Sequence, residues 1–228
     1  MISFPTNPDA VHERMVKAIR EEAECAAPWV GSGSIDPKIL NVMACIPRHK
    51  FVPKGLAHAA YHNSPLPIGF GQTISQPYIV ALMTDLLRLK EDFTVLEIGT
   101  GSGYQAAVLS HLVRKVYSIE IVESLANEAR ERLHGLGYKN VDVINGNGRL
   151  GLAEKAPFDA IMVTAAPDQI PPALIQQLAF GGRLVMPLGG PYHGQDLKLL
   201  QKDKSGKLSS RTVLPVAFVP LTGGGDNP

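Results

Sequence analysis

Cysteine is nearly absent: only Cys25 and Cys45 occur among 228 residues. Two thiols are too few for a disulfide scaffold, and these lie too far apart for a CxxC metal or redox motif. They read as buried or incidental thiols of a reduced compartment. An excess of one charge is also lacking, with 22 basic side chains against 21 acidic ones, a net of +1. The balance holds along the chain, so no basic tail or acidic arm hides behind the average, which argues against nucleic acid as a main partner. No stretch approaches the roughly 18 continuous apolar residues of a membrane span. The first residues lack the basic-then-apolar pattern of a secretory signal. The seven histidines show no metal-ligand spacing, so no metal is expected. Repeats and heptads are missing too. The expectation is a soluble, cytoplasmic, monomeric globular protein.

What is present is apolar patterning. The chain is 45% hydrophobic, and its 228 residues correspond to about one and a half ordinary domains. One domain with an elaboration is expected. Residues 8–26 read as a helix, with Val11, Met15, Ala18 and Ile19 at helical spacing and Asn7 or Asp9 as cap. A second, short helix follows, capped by Asp36 with Pro37 in its first turn. From Pro47 to Gly71 the chain is dense in Pro, Gly and aromatics, and reads as an irregular loop that lines something. Ser75 then caps a long amphipathic helix that ends near Leu89.

After residue 92 the texture changes. The apolar runs TVLEIG, VYSIEI, NVDVING, FDAIMVTAA and RLVMPLGG read as strands. They alternate with helices in GYQAAVLSHL, SLANEARERLHGLG and PPALIQQLAFGG, which indicates a parallel sheet covered on both faces. The tail reads as two strands across a Lys-Ser-Gly turn, an antiparallel hairpin, followed by a frayed GGGDN. The fold class is therefore α/β: a doubly wound, mostly parallel sheet with a C-terminal antiparallel hairpin and an N-terminal helical cap.

Open parallel sheets bind ligands at the carboxyl ends of their strands. The first strand ends in Glu97-Ile98-Gly99-Thr100-Gly101-Ser102-Gly103, where the glycines permit a tight turn and a close ligand approach. The second ends in Glu120, whose carboxylate can accept both hydroxyls of a ribose. The third ends in Gly146-Asn147-Gly148, a polar side chain placed to reach an adenine edge. Alone, the loop also suits an ordinary turn or a dinucleotide fold, and Glu120 a solvated charge. Together they point to a nucleoside. The spacing is GxGxG rather than GxGxxG and no P-loop is present, which disfavours a nicotinamide-dependent oxidoreductase.

These segments resemble the protein-L-isoaspartate O-methyltransferases, a family with the Rossmann-like class I S-adenosylmethionine-dependent fold. The resemblance runs from about Val42 to Thr222. It rests on PRHKFVP at 47–53, Ala60-Tyr61, QTISQP at 72–77, VLEIGTGSGY at 95–104, APFDAI at 156–161, GGRL at 181–184 and FVPLT at 218–222. The glycine loop is shared by many methyltransferases; Thr-Ile-Ser-Gln-Pro is far more particular and decides the subfamily.

The resemblance implies protein repair. The family methylates the free α-carboxylate of isoaspartyl residues in damaged proteins and peptides; the ester recloses to succinimide and reopens partly as normal aspartate. It implies S-adenosylmethionine as cofactor and S-adenosylhomocysteine as product. Ser75 takes the catalytic, substrate-side role, and cofactor contacts fall to Ile74, Gln76, Glu97, Gly99, Thr100, Gly101, Ser102, Glu120, Asn147, Gly148 and Thr222. Residues 1–76 become a substrate-side subdomain and residues 77–228 the cofactor-binding core of a single domain.

One position departs from the family pattern: Asn147 stands where the family carries Asp. The charge lost implies cofactor binding weaker by about 1 kcal/mol, since bonds to charged groups contribute ~1.5–3 kcal/mol against ~0.5–1.5 for neutral ones. Arg48 and His49 read as a structural turn, with an active-site wall as the lesser reading, and Tyr61 and Phe70 as core plugs, with the flanks of a peptide groove as the lesser one. The rival readings are a related methyltransferase acting on another carboxylate or small molecule and a catalytically silent cofactor binder.

Overall fold

The computed structural model describes residues 10–190 and 194–223. The candidate caps Asn7 and Asp9, His193 and the tail beyond Gly223 lie outside the described residues.

Helix α1 (Ala10–Val30) buries His12, Met15, Ile19, Ala23 and Ala26, a stripe at three- and four-residue spacing. Helix α2 (Pro37–Cys45) begins as expected, the Asp36 carboxylate accepting the Lys38 backbone N–H at 2.7 Å. The segment read as irregular loop holds two 3-10 turns and a small antiparallel ribbon, β1 (Leu66–Gly69) with β2 (Gln72–Ile74). Phe70, expected as a core plug, is exposed at the ribbon's tip with φ +52. Helix α3 (Pro77–Leu86) stops short of Leu89.

The α/β portion then runs β3 (Thr94–Ile98), α4 (Tyr104–Ser110), β4 (Lys115–Glu120), α5 (Glu123–Gly135), β5 (Val141–Asn145), β6 (Phe158–Val163), α6 (Pro172–Gln177), β7 (Leu178–Leu188), β8 (Gln195–Lys202) and β9 (Leu208–Val216). One seven-stranded sheet has the order β5-β4-β3-β6-β7-β8-β9. Its first five strands are parallel, and β8 and β9 join antiparallel as the expected hairpin. Strand order reverses beside β3, so the crevice for a ligand opens at the carboxyl end of that strand.

The expected helix PPALIQQLAFGG is half strand. It ends at Gln177, because Leu178 pairs with Phe158 and buries its side chain in the sheet. Gly182 packs so closely on the Ala179 and Asp159 carbonyls that no Cβ would fit.

Alternation along each strand divides the core. Val95, Val116, Ala160 and Met162 face one cluster, which continues into α1, α2 and α3. Leu96, Ile98, Ile161 and Val163 face the other, shared with α6 and β7. Glu97 follows Val95 in the two-residue period, so its carboxyl is forced into the first cluster.

Candidate active site

The loop after β3 is shaped by close approach. Gly99 has φ +94, and a Cβ there would strike the Thr164 hydroxyl, which donates to the Gly99 carbonyl at 2.6 Å. Gly101, also at positive φ, donates its N–H to Glu120 Oε2 at 2.8 Å. The other oxygen of Glu120 accepts from the Val122 N–H at 3.0 Å. Each carboxylate oxygen therefore keeps a lone pair for a ligand, and Glu120 borders a narrow cavity together with Gly99, Gly101 and Gly148.

Behind the loop lies a buried polar chain. Thr100 Oγ1 and Ser118 Oγ are 2.6 Å apart, and the Ser118 hydroxyl donates to Glu97 Oε2 at 2.5 Å. Glu97 is fully buried, and its Oε1 has no partner among the described residues. Burial pushes this carboxyl up to about 8; the Ser118 bond opposes the shift and the Glu120 charge adds to it. At neutral pH Glu97 is mainly a neutral acid.

The far wall of the cavity is the segment after β9. Ala166 clips it, donating to the Val219 carbonyl and accepting from the Leu221 N–H, each at 2.8 Å. Arg149 Nη2 donates to the Leu221 carbonyl at 2.7 Å, and Asn147 Nδ2 to the Gly223 carbonyl at 2.8 Å. Asn147 Oδ1 accepts the Arg149 N–H at 3.0 Å.

Ser75 stands between two spaces. It borders the chamber of the glycine loop and also a wide cleft of about 480 Å³ that opens to the surface. It does not cap α3. Gln76 occupies the cap position without a side-chain bond, and the Tyr78 N–H goes to Asn63 Oδ1 at 2.9 Å. The cap thus comes from the preceding loop, which leaves the Ser75 side chain outside the helix end. The Ser75 backbone is held instead: its carbonyl accepts from Arg48 Nη2 at 2.7 Å, while Arg48 Nε donates to the Ala60 carbonyl at 2.7 Å. That guanidinium is wholly buried and lies 4.6 Å above the Tyr104 ring. Burial draws its pKa below the ordinary value, and Tyr104 acts the other way.

Residues 31–226 match the family model described as Protein-L-isoaspartate(D-aspartate) O-methyltransferase. The chain belongs to this family. A protein-L-isoaspartate O-methyltransferase of Syntrophobacter fumaroxidans is 56% identical over 215 residues, covering 94% of this chain and 87% of that one. One of Polaromonas sp. is 58% identical over 193 residues, covering 85% and 92%. A solved protein-L-isoaspartate O-methyltransferase superposes with a TM-score of 0.80 at 27% identity, covering 93% of this chain and 66% of that one. A Plasmodium falciparum structure assigned to the same activity, in complex with S-adenosylhomocysteine, gives 0.77 at 25% identity, covering 92% and 98%. The fold is the Rossmann-like class I methyltransferase fold. The cofactor is S-adenosylmethionine, and the reaction is the one the family name denotes, methylation of isoaspartyl residues.

For a protein-L-isoaspartate methyltransferase, the residues expected from sequence divide into three places. Ile74, Gly99, Thr100, Gly101 and Ser102 gather with Ser75 around the glycine loop. Glu120, Gly148 and Thr222 border the adjoining cavity, with Asn147 beside it in contact with Gly223. Gln76 and Glu97 fall elsewhere: Gln76 borders the wide cleft, and Glu97 is walled off behind Thr100. The bare backbone at Gly99 and Gly101 and the spare lone pairs of Glu120 fit a nucleoside with vicinal hydroxyls. Arg48, Asn63 and Thr164 also shape the site. Arg48 lies within the PRHKFVP signature, a segment read first as a turn and second as an active-site wall.

Proposed function

We propose that Ser75 is the catalytic residue of this methyltransferase and that the 480 Å³ cleft beside it receives the isoaspartyl chain. The observation that carries this reading is the position of Ser75 on both the glycine-loop chamber and the open cleft. In it, residues 1–76 furnish the substrate side and residues 77–228 the cofactor side. Glu120 takes the ribose, Asn147 and Gly148 the adenine edge, and Ile74, Gly99, Thr100, Gly101 and Ser102 the amino-acid end. Gln76 and Thr222 close the two sides, and Glu97 supports the loop from behind through Ser118.

Bound S-adenosylmethionine supplies an electrophilic methyl group. The isoaspartyl α-carboxylate is already ionised at neutral pH, with an ordinary pKa of about 3.3–4.3. No general base is required, and the chain's task is to hold and orient an anion. The Ser75 hydroxyl donates to one carboxylate oxygen and leaves the other free to attack. The N-terminal end of α3 and the Arg48 guanidinium, which has no carboxylate partner among the described residues, both favour negative charge there. A monomer working in the cytoplasm, without a nucleic-acid partner, suits a net charge of +1, since a strong surface field would select among the unrelated chains such an enzyme must meet.

Ser75→Ala tests the assignment. Methyl transfer falls at least tenfold while S-adenosylhomocysteine affinity and thermal unfolding stay close to wild type. Undiminished turnover would remove Ser75 from the catalytic role.

A further inference from the structure

The wide cleft continues past Ser75. Four residues of its outer wall, Glu22, Tyr78, Leu214 and Pro215, also border a second hollow of about 350 Å³ roofed by Cys25, Ala26 and Trp29. Glu22, Ala26 and Trp29 lie at helical spacing on one side of α1. Trp29 is 63% exposed, an indole left in water at the rim of a concave surface. Trp29 and the rest of α1 precede residue 31, where the match to the family model begins. The α1 side of this hollow is therefore built by a segment that precedes the matched residues, while Tyr78, Leu214 and Pro215 lie within them.

We propose that Trp29, with Ala26, Tyr78, Leu214 and Pro215, forms a subsite for an apolar side chain of the substrate polypeptide, a few residues along from the isoaspartyl group. The inference rests on reading the cleft at Ser75 as the substrate cleft. Continuity argues for the occupant. A polypeptide anchored by one carboxylate beside Ser75 must leave the site along the open cleft, and the four shared residues carry that path into the second hollow. Chemistry argues for the side chain. The lining is mainly apolar and aromatic, and burying an indole face against an aliphatic or aromatic group gives contact area with few torsions to freeze. Leu214 and Pro215 belong to β9, the edge strand of the large sheet, so an extended chain could also meet unpaired backbone groups there. Glu22 places one negative charge at the junction, which disfavours an acidic neighbour in the substrate.

Trp29 is the only tryptophan of the chain, so its fluorescence reports the subsite directly. The probe is a serine- and glycine-rich isoaspartyl peptide, with a set in which one leucine is moved through successive positions on either side of the isoaspartate. With S-adenosylhomocysteine present to prevent turnover, leucine at one or two positions shifts the emission to the blue and tightens binding several-fold. In turnover the same peptides show a several-fold higher kcat/KM, carried by KM. Trp29→Ala brings that ratio to about one, and Trp29→Phe keeps part of it. A wild type without positional preference, or a preference unchanged in Trp29→Ala, overturns the subsite. So does a wild-type dimer that Trp29→Ala splits, which would make the patch a self-association surface. Transfer without preference overturns the subsite alone. Failure to methylate any isoaspartyl peptide overturns the reading of the cleft and the subsite with it.

Discussion

The guanidinium of Arg48, with no exposed surface, donates to the backbone carbonyl of Ser75 at 2.7 Å and so fixes the residue that borders both the glycine-loop chamber and the open cleft. Its second bond, to Ala60, ties the same group to the preceding turn. A lysine keeps the charge but cannot serve both carbonyls with the rigid fork. Arg48→Lys is expected to lower stability by about 1–3 kcal/mol, the cost of leaving a buried acceptor unpaired. It is also expected to lower kcat about tenfold, the scale of a misplacement remote from the chemistry. Thermal unfolding beside steady-state kinetics checks this; a destabilised protein with wild-type kcat would make Arg48 a purely structural residue.

Glu97 makes stability depend on pH. Its folded pKa, about 8, lies above the ordinary 4.5, so between these values the native state holds a proton that the unfolded chain has released. The Glu97 contribution to stability is therefore full below about pH 4.5 and declines as pH rises towards 8, by an amount on the order of a few kcal/mol. Glu97→Gln flattens that decline. Denaturant titrations across the window measure it, and identical slopes for both proteins would contradict the assignment.

Gly99 leaves no room for change. A Cβ would meet the Thr164 hydroxyl, and a non-glycine residue at φ +94 costs about 1–2 kcal/mol. Gly99→Ala should displace the loop and weaken S-adenosylhomocysteine binding more than tenfold by calorimetry. Thr164→Val, which removes the hydroxyl bonds to the Ile98 and Gly99 carbonyls, should weaken it less.

Asn147 changes meaning once its partners are seen. Its amide donates to the Gly223 carbonyl at 2.8 Å, a bond that an aspartate carboxylate cannot make. In Asn147→Asp, the gain of a charged acceptor at the proposed adenine position is offset by loss of this clasp, worth ~0.5–1.5 kcal/mol. Cofactor affinity then changes by less than about threefold, while amide hydrogen exchange speeds up across residues 219–223. Unchanged exchange would show that the clasp does not hold this wall.

The large sheet was legible because each strand is an apolar run closed by glycine or a polar turn, and Gly99 and Gly101 follow directly from where β3 ends; the burial of Glu97 behind Thr100 does not. What escaped depended on distant partners. Nothing near Ser75 shows that Asn63 caps α3 in its place, or that Arg48 reaches across to its carbonyl. Pro65, Pro67 and Gly69 broke the two-residue alternation that would have revealed β1 and β2. The apolar stretch Leu178-Ala179-Phe180 fits helix or strand by periodicity alone; pairing with β6 decides it.

The most direct test is transfer of labelled methyl from S-adenosylmethionine to two peptides identical except that one carries isoaspartate where the other carries normal aspartate. Label should enter only the isoaspartyl peptide, in a base-labile ester, and should fall at least tenfold with Ser75→Ala. Equal labelling of both peptides, or labelling of neither by a folded enzyme that binds S-adenosylhomocysteine, would contradict the account.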